Sequence, residues 1–441
     1  MVTQAVDTAK NIKEETPMKK TISLFLALVM VLSCVSFAAA EDVVIKWASP
    51  MLLETPEGPW IEKAIEEFNA LDNGYTVEGL AIPTNDLDKK IIAAAGASDL
   101  PDLVTGYNTT LTNLVDMELA RPMSEFFSEE YIADFIPFAR DSSSIDGVLY
   151  AHPFFVLSQG IVYRKDLFDA KNIAAPTTWD ELVAACKALT EGESYGMAYV
   201  GTRNGSGGAR FSNIIRNFGV DEFYKDADGK WQTDIGSEKY IAALKAVTEL
   251  DTVHKVVPPG VIETGYPEAV ALLSSGKAAM LVTGSNAVGA ITAKVPELVG
   301  KLGSCAIPNV GRQVNCSAGS ALFVLTPADQ GKDEGIKLFL EFLTGKEKAL
   351  ELTTISGRLP VFTSQFNDPS IQAIPGMDGF LDAMINQEAY IAPSIPGYNE
   401  INDIGGEAYQ SVFMGEKTVE EAAAIAQERA QELCDDANEG Y

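Results

Sequence analysis

The feature that most constrains the fold is an alternation near the start of the chain. A β-rich run, Val43–Trp47, is followed by "GPWIEKAIEEFNAL", which sets Trp60, Ile61, Ala64, Ile65 and Phe68 on one helical face. "YTVEGLAI" then reads as a strand, "NDLDKKIIAAAGA" as a helix and "PDLVTGY" as a short strand ending at Gly106-Tyr107. Strands that alternate with helices must be joined by crossovers, so the expected architecture is α/β, a largely parallel sheet covered by helices. The style continues through the strand "GIVYRKD", the Thr178 cap before a helix over Trp179–Thr190, "YGMAYVG", the helix "RFSNIIRNFG" and a long helix over Glu238–Leu250.

A second constraint comes late. In "GKAAMLVTGSNA", Gly276 stops one helix, Ala278–Val282 reads as a buried strand, and Gly284-Ser285 opens another helix. A strand laid down so far along the chain implies a return to a lobe left earlier. "KLGSCAIP" and "SAGSALFVLT" follow as strands, and from Ala328 onward the pattern is almost entirely helical. No repeat of fixed period and no long low-complexity linker separates the halves. Two lobes with several crossings fit that pattern better than two independent beads.

The front of the sequence reads as a targeting segment. Lys19 and Lys20 precede the apolar run Ile22–Leu32, and small residues end at Ala38-Ala39-Ala40. That order is the one of a secretory signal, with residues 1–17 upstream of a start at Met18, and the run is too short to span a membrane. Cleavage before Glu41 is the expectation; an uncleaved membrane anchor and a lipid anchor at Cys34 are the alternatives. The sequence is 46% hydrophobic, and the remaining chain can bury a large core and is long enough for two domains. The 62 acidic residues against 33 Lys and Arg give a formal charge of −29, which repels nucleic acid and anionic lipid as partners. Cys305 and Cys316 flank "AIPNVGRQVN"; an oxidising compartment permits a disulfide between them, or leaves both free.

Enzymatic chemistry finds little support. The chain has two His, His152 and His254, and no G-x-S-x-G elbow, Walker loop, HExxH or EF-hand loop. No cofactor and no metal site is expected. His152, beside Pro153, reads as structural. "NGSGGAR" (Asn204–Arg210) ahead of a helix reads either as a phosphate cradle or as a flexible turn. Binding fits better, because several post-strand segments carry aromatic and amide residues: Trp47–Ser49, Tyr107-Asn108, Phe154-Phe155 with Ser158, Arg203-Asn204, Ser285-Asn286 and Pro396–Tyr398. Ligands of open α/β sheets sit outside the carboxyl ends of strands, and aromatic faces mixed with hydrogen-bonding groups suit a polyol such as a sugar.

These segments carry a resemblance. An early W…FN…G…V strand–helix–strand, "DLPDLVTGYN", "GIVYRKDLFDAKNIAAPTTWDEL", "SSGKAAMLVTGS", "SGRLPV" and "APSIPGYNEI" occur in one order over essentially the whole exported chain. In that order they resemble the extracellular solute-binding proteins of carbohydrate ABC importers, the maltose-binding-protein-like family 1. The resemblance implies a two-lobed periplasmic-binding-protein fold of type II-like topology, each lobe a mixed or parallel sheet flanked by helices, with extra helices at the C-terminus. It implies an N-terminal lobe of residues 41–152 plus 283–325 and a C-terminal lobe of 153–282 plus 326–441, with hinge crossings near 150–156, 278–284 and 320–327. Ala278–Gly284 would be the second crossing and would return the chain to complete the N-terminal sheet; "SALFVLT" would be the last.

Carried over residue by residue, the resemblance places Ser49, Glu54, Tyr107, Asn108 and Asn286 in the cleft from the N-terminal lobe. Phe155, Arg203, Asn204, Arg358 and Tyr398 would face them from the C-terminal lobe. It further implies a monomer, exported to the periplasm or cell surface, that catalyses nothing and delivers a small sugar to permease subunits. Ser285-Asn286 stands where relatives often carry Trp, and Arg164 where they carry Asn, so a mono- or disaccharide or a derivative is expected rather than a long maltodextrin. A binder of glycerol phosphate or a polyamine on the same scaffold, a chemoreceptor ligand carrier and an exported polysaccharide-acting enzyme are the rival readings. Arg203, Arg210 and Arg358 together would favour an anion.

Overall fold

The computed structural model describes residues 42–97, 99–106, 108–315, 318–325, 330–393 and 395–439. In chain order the strands of its two larger sheets are β1 (Val43–Ser49), β2 (Tyr75–Ala81), β3 (Leu103–Gly106), β4 (His152–Leu157), β5 (Gln159–Arg164), β6 (Tyr195–Ala198), β7 (Ala278–Gly284), β8 (Leu302–Cys305) and β9 (Ala318–Val324). The longer helices are α1 (Gly58–Asn69), α2 (Thr84–Ala97), α3 (Asn108–Asp116), α4 (Trp179–Leu189), α5 (Gly205–Asn217), α6 (Glu238–Thr252) and α7 (Tyr266–Ser274). They continue with α8 (Asn286–Lys294), α9 (Asp333–Thr344), α10 (Lys346–Ser356), α11 (Asp378–Asn386), α12 (Ile401–Phe413) and α13 (Val419–Glu439). None of them is long and apolar enough to cross a membrane.

The first sheet has five strands in the order β2-β1-β3-β9-β4. β1 runs parallel to β3 with Trp47 opposite Leu103, and β9 runs antiparallel to both β3 and β4. Alternation along these strands buries both faces. Ile45, Trp47, Leu322 and Val324 join the core made with α1 and α9, while Ala48, Val104, Ala321 and Phe323 join a smaller core with α2 and α3. Trp47 anchors the larger core. It is fully buried, meets Phe339 edge to face at 5.5 Å, and donates its indole N–H to Thr105 Oγ1 at 2.9 Å.

The second sheet has four strands in the order β8-β5-β7-β6. β7 lies antiparallel to β5, with Met280 opposite Tyr163, and parallel to β6, with Met280 opposite Met197. Val162, Ala198 and Leu281, with residues of α7, α8 and α11, extend the larger core that Trp47 anchors. Ile161, Met197 and Met280 share another with α4, α5, α6 and α12. The helix at Trp179 begins as expected, on a complete capping box between Thr178 and Glu181.

Three expectations about lobe membership are corrected here. The strand Ala278–Gly284 does not complete the first sheet, because both of its hydrogen-bonded neighbours, β5 and β6, belong to the second. β8 also pairs there, opposite β5, although its residues fall in the range assigned to the N-terminal lobe. Nor does everything after Thr326 belong to the second sheet. Phe339 of α9 meets Trp47 and Phe68 edge to face at 5.5 and 5.1 Å, and α9 packs on β4 and α1, so its apolar face covers the first sheet. The chain therefore goes over to the second sheet once more after α10, since α11 packs against β8 and β5.

Candidate ligand-binding site

The carboxyl ends of β1 and β3 lie side by side in the first sheet, and those of β6 and β7 do so in the second. Ser49 closes β1. It is fully buried, and its hydroxyl accepts hydrogen bonds from Thr105 Oγ1 at 3.0 Å and from the Met51 amide at 3.2 Å. It thus ends a relay that starts at the Trp47 indole. Glu54 is exposed and accepts from the Thr84 amide and hydroxyl at 3.1 and 2.6 Å, which fastens the start of α2. Asn108 opens α3 just beyond β3, and Tyr107 lies outside the described residues.

Phe155 and Arg358, expected on the C-terminal lobe, stand on the first sheet's side. Phe155 is a residue of β4, and the Arg358 guanidinium lies 4.2 Å over its ring. Arg358 Nε is 2.9 Å from Glu57 Oε1 and Nη2 donates to Oε2 at 3.0 Å. Glu57 is only 4% exposed. Burial pushes its carboxyl up, but the hydrogen bond and charge of Arg358 outweigh that and hold it below the usual carboxylate range. The pair ties the segment before α1 to the turn after α10. The neighbouring Gly357 has φ +66°, and a Cβ there would come within 2.2 Å of the Ser285 carbonyl oxygen.

The remaining candidates belong to the second sheet. Arg203 donates to both carboxylate oxygens of Asp403, at 2.6 and 2.8 Å, and Nη2 is 3.1 Å from Glu407. The Arg203 hydrogen bonds, with that of Arg429, hold the Asp403 carboxyl at about 2. Asn204 caps α5, its Oδ1 accepting from the Ser206 and Gly207 amides at 2.9 and 3.1 Å. The "NGSGGAR" stretch is therefore the first turns of a helix whose leading amides are taken by its own cap. Two of its three glycines serve packing, since a Cβ on Gly207 would meet the Thr202 carbonyl oxygen at 2.1 Å and one on Gly208 the Asn402 backbone at 2.3 Å. Tyr398 accepts from Arg216 Nη2 at 2.7 Å, beside the buried Arg216–Glu222 ion pair. Cys305 is a free thiol at the end of β8, pushed up to about 12 chiefly by burial, and its suggested partner Cys316 lies outside the described residues.

The strands meet where the chain leaves one sheet for the other. Between β4 and β5, fully buried Ser158 accepts from Asn315 Nδ2 at 2.7 Å and offers its carbonyl to the Ser285 amide at 2.9 Å. Asn315 Oδ1 also accepts from the Gln159 amide at 3.3 Å, and the Ser285 hydroxyl donates to the Gly357 carbonyl at 2.6 Å. Immediately above this knot, a Cβ on Gly284 would lie 2.7 Å from Asn286 Oδ1 and 3.1 Å from Gln159 Nε2. Those two side-chain amides sit together at the carboxyl end of β7, and neither is committed to another described residue. Of the expected residues whose side chains are described, Asn286 is the one with this freedom. Sequence reasoning missed Gln159, although its position next to Ser158 at the strand-to-strand step marked it. It also missed Glu57, whose pairing with Arg358 no local signal announces.

Comparison with known proteins gives the geometry its context. The sequence profile of bacterial extracellular solute-binding proteins matches residues 53–349. The chain belongs to that family. A mannitol-binding protein of Pseudomonas aeruginosa is 25% identical over 331 residues, covering 70% of this chain and 74% of that protein. The sn-glycerol-3-phosphate-binding periplasmic protein UgpB of Escherichia coli is 24% identical over 453 residues, 95% of this chain and 97% of that one. Among solved structures, maltose-bound MalE3 of T. maritima superposes with a TM-score of 0.69 at 23% identity, covering 89% of this chain and 100% of that chain. The solute-binding family members share the two-lobed mixed α/β architecture described above. Among the described residues no group of His, Cys, Asp and Glu is arranged to hold a metal ion.

Proposed function

We propose that this chain is the capture subunit of an ABC importer, closing on a small sugar, a mono- or disaccharide or a derivative of one, and passing it to membrane permease subunits. The observation that carries the reading is the pair of uncommitted amides, Gln159 and Asn286, at the step between the two sheets. A carboxamide offers a donor and an acceptor, which matches the hydroxyls of a polyol, while Arg203 and Arg358 are already tied to carboxylates. The relative named for mannitol supports the sugar class. In this reading the N-terminal lobe is the first sheet with α1–α3, α9 and α10. The C-terminal lobe is the second sheet with α4–α7 and α11–α13. The chain steps between them at Ser158, between β8 and β9, and between Phe362, which still bridges Phe135, and α11. The protein acts as an exported monomer, cleaved before Glu41, and performs no bond chemistry.

A thermal-shift screen tests this, with mono-, di- and oligosaccharides, sugar acids, glycerol phosphate and polyamines as ligands. A ligand at about 100 times its Kd stabilises the folded state by roughly 2.7 kcal/mol, and the expected hit is a small sugar or sugar derivative recovered with unchanged mass. Shifts with glycerol phosphate or a polyamine alone overturn the sugar class. New reducing ends from a sugar polymer overturn the binding role.

A further inference from the structure

The nine arginines of the chain differ in one respect that sequence does not show. Eight have a carboxylate partner: Arg121, Arg140, Arg164, Arg203, Arg216, Arg312, Arg358 and Arg429. Arg210 has none among the described residues, and the one ionisable group acting on its charge is the Tyr266 phenol. In a chain with 62 acidic residues, an arginine that is left without one occupies an unusual place.

That place is the carboxyl edge of the second sheet. The β6–β7 ladder stops at Leu281, opposite Ala198, while β7 continues to Gly284. Arg210 reaches from the second turn of α5 to the strand beyond that stop, and its Nε donates to the Val282 carbonyl at 3.0 Å. Nη1 donates to the Ser206 carbonyl at 2.9 Å and to its hydroxyl at 2.6 Å. The guanidinium lies 4.0 Å over the ring of Tyr266, whose hydroxyl is hydrogen-bonded to Thr283 Oγ1 at 3.1 Å. These contacts fix the plane of the guanidinium; beyond them its one further polar interaction is with the Tyr266 phenol, and no carboxylate among the described residues reaches it. Val282 and Thr283 lead directly to Gly284, where Gln159 and Asn286 converge.

A cation held in a partly buried place costs solvation that a partner must offset, and here the protein supplies dipoles and a ring but no charge. Burial accordingly depresses the Arg210 pKa, with Tyr266 opposing. Held in place on Nε and Nη1, the guanidinium can still offer Nη2 as a charge-assisted donor to a carboxylate oxygen. One unpaired cation balances a monoanion; a phosphate, with a second charge and a third oxygen, would leave the remainder unanswered.

We propose that Arg210 receives a carboxylate of the ligand, so that the sugar this chain carries is a sugar acid of the uronic or aldonic type. The inference rests on the sugar-binding reading of the same cleft. Its test is isothermal titration of galacturonate, glucuronate and gluconate against galactose, glucose and mannitol, with glycerol 3-phosphate added, on wild type and Arg210→Gln. The expected result is that one acid binds roughly a hundredfold more tightly than its neutral parent, the scale of removing one member of a desolvated charge pair, and that Arg210→Gln abolishes the difference. Neutral sugars that bind as well as or better than the acids overturn the inference and leave the sugar-binding reading standing. Tightest binding of glycerol 3-phosphate overturns the carboxylate, and failure of every sugar overturns both. An acid preference that survives in Arg210→Gln removes Arg210 from the role. Because the Val282 contact makes Arg210 a packing residue as well, the wild-type comparison decides the ligand's charge even where the variant fails to fold.

Discussion

His152 illustrates what a single side chain contributes here without touching ligand. It is fully buried in an aromatic nest with Phe127, Phe135 and Phe362, its Nδ1 2.8 Å from the Pro153 carbonyl and Nε2 2.9 Å from the Tyr131 hydroxyl. Burial lowers its pKa to about 4. In the unfolded chain the same imidazole titrates near 6.5, so between those values the unfolded state binds the extra proton. Stability that is full above the unfolded value is then lost as pH falls toward 4, by about 3 kcal/mol in total. Chemical denaturation at pH 7, 5.5 and 4 should show this decline, and His152→Gln should flatten its part of it; an unchanged slope in the variant sinks the assignment. Glu57 runs parallel in sign, since a carboxyl held low stabilises above its unfolded pKa and stops doing so as pH falls through the folded value. Arg358→Met would strand that carboxylate 4% exposed and unpaired. The expected cost at pH 7 is about 3–5 kcal/mol, partly recovered on acidification as Glu57 takes a proton. A variant as stable as wild type at pH 7 would show that the pair carries no such role.

At the scale of elements, the local signals were legible and the pairings were not. The amphipathic face of α1, the Thr178 cap and the apolar run of β7 follow from periodicity and capping chemistry, and each stands where the sequence put it. The partners of β7 depend on contacts far away along the chain, as in Met280 opposite Tyr163 and opposite Met197, and a buried run with no polar face gives no register to read. The same holds for the site. Asn286 is legible because it follows a strand and a glycine, whereas Arg203, Asn204 and Tyr398 look alike in sequence and prove to be committed to Asp403, a helix cap and Arg216. The glycines of "NGSGGAR" invited a phosphate-loop reading because sequence cannot show the backbone they approach. Gly208→Ala tests the packing explanation: a methyl 2.3 Å from the Asn402 backbone must push α5 off α12 and should destabilise by about 1–3 kcal/mol in a thermal melt. If instead the variant melts like wild type and loses ligand, the glycine serves the cleft rather than the helix contact.

For the whole molecule, the question is what ligand energy acts upon. The sheets are joined at a step whose polar groups are satisfied by one another: Ser158 with Asn315 and Ser285, and Ser285 with Gly357. In the proposed closure, buried and short-ranged bonds of this kind would serve as a pivot that keeps its chemistry while the bodies on either side rotate, because little is broken by a small change of backbone angles. A ligand biases such a rotation only by the difference in its affinity for the two arrangements. Gln159 and Asn286 lie at the step between the sheets, whereas Arg210 and Tyr266 stand out on the second sheet, so in the proposed closure a ligand held by these groups gains contacts from the first sheet only when the sheets approach. Small-angle scattering should therefore show the radius of gyration falling as ligand is added, along the same saturation curve as heat of binding. Asn315→Ala removes the side-chain bonds to Ser158 and Gln159, and should lower thermal stability by about 1–3 kcal/mol while leaving the ligand-induced contraction in place. A contraction that disappears in this variant would mean that Asn315 does not merely hold the pivot but distinguishes the open arrangement from the closed one. A wild type that binds without contracting would remove closure from the account and leave a rigid cleft whose selectivity rests on its fixed groups alone.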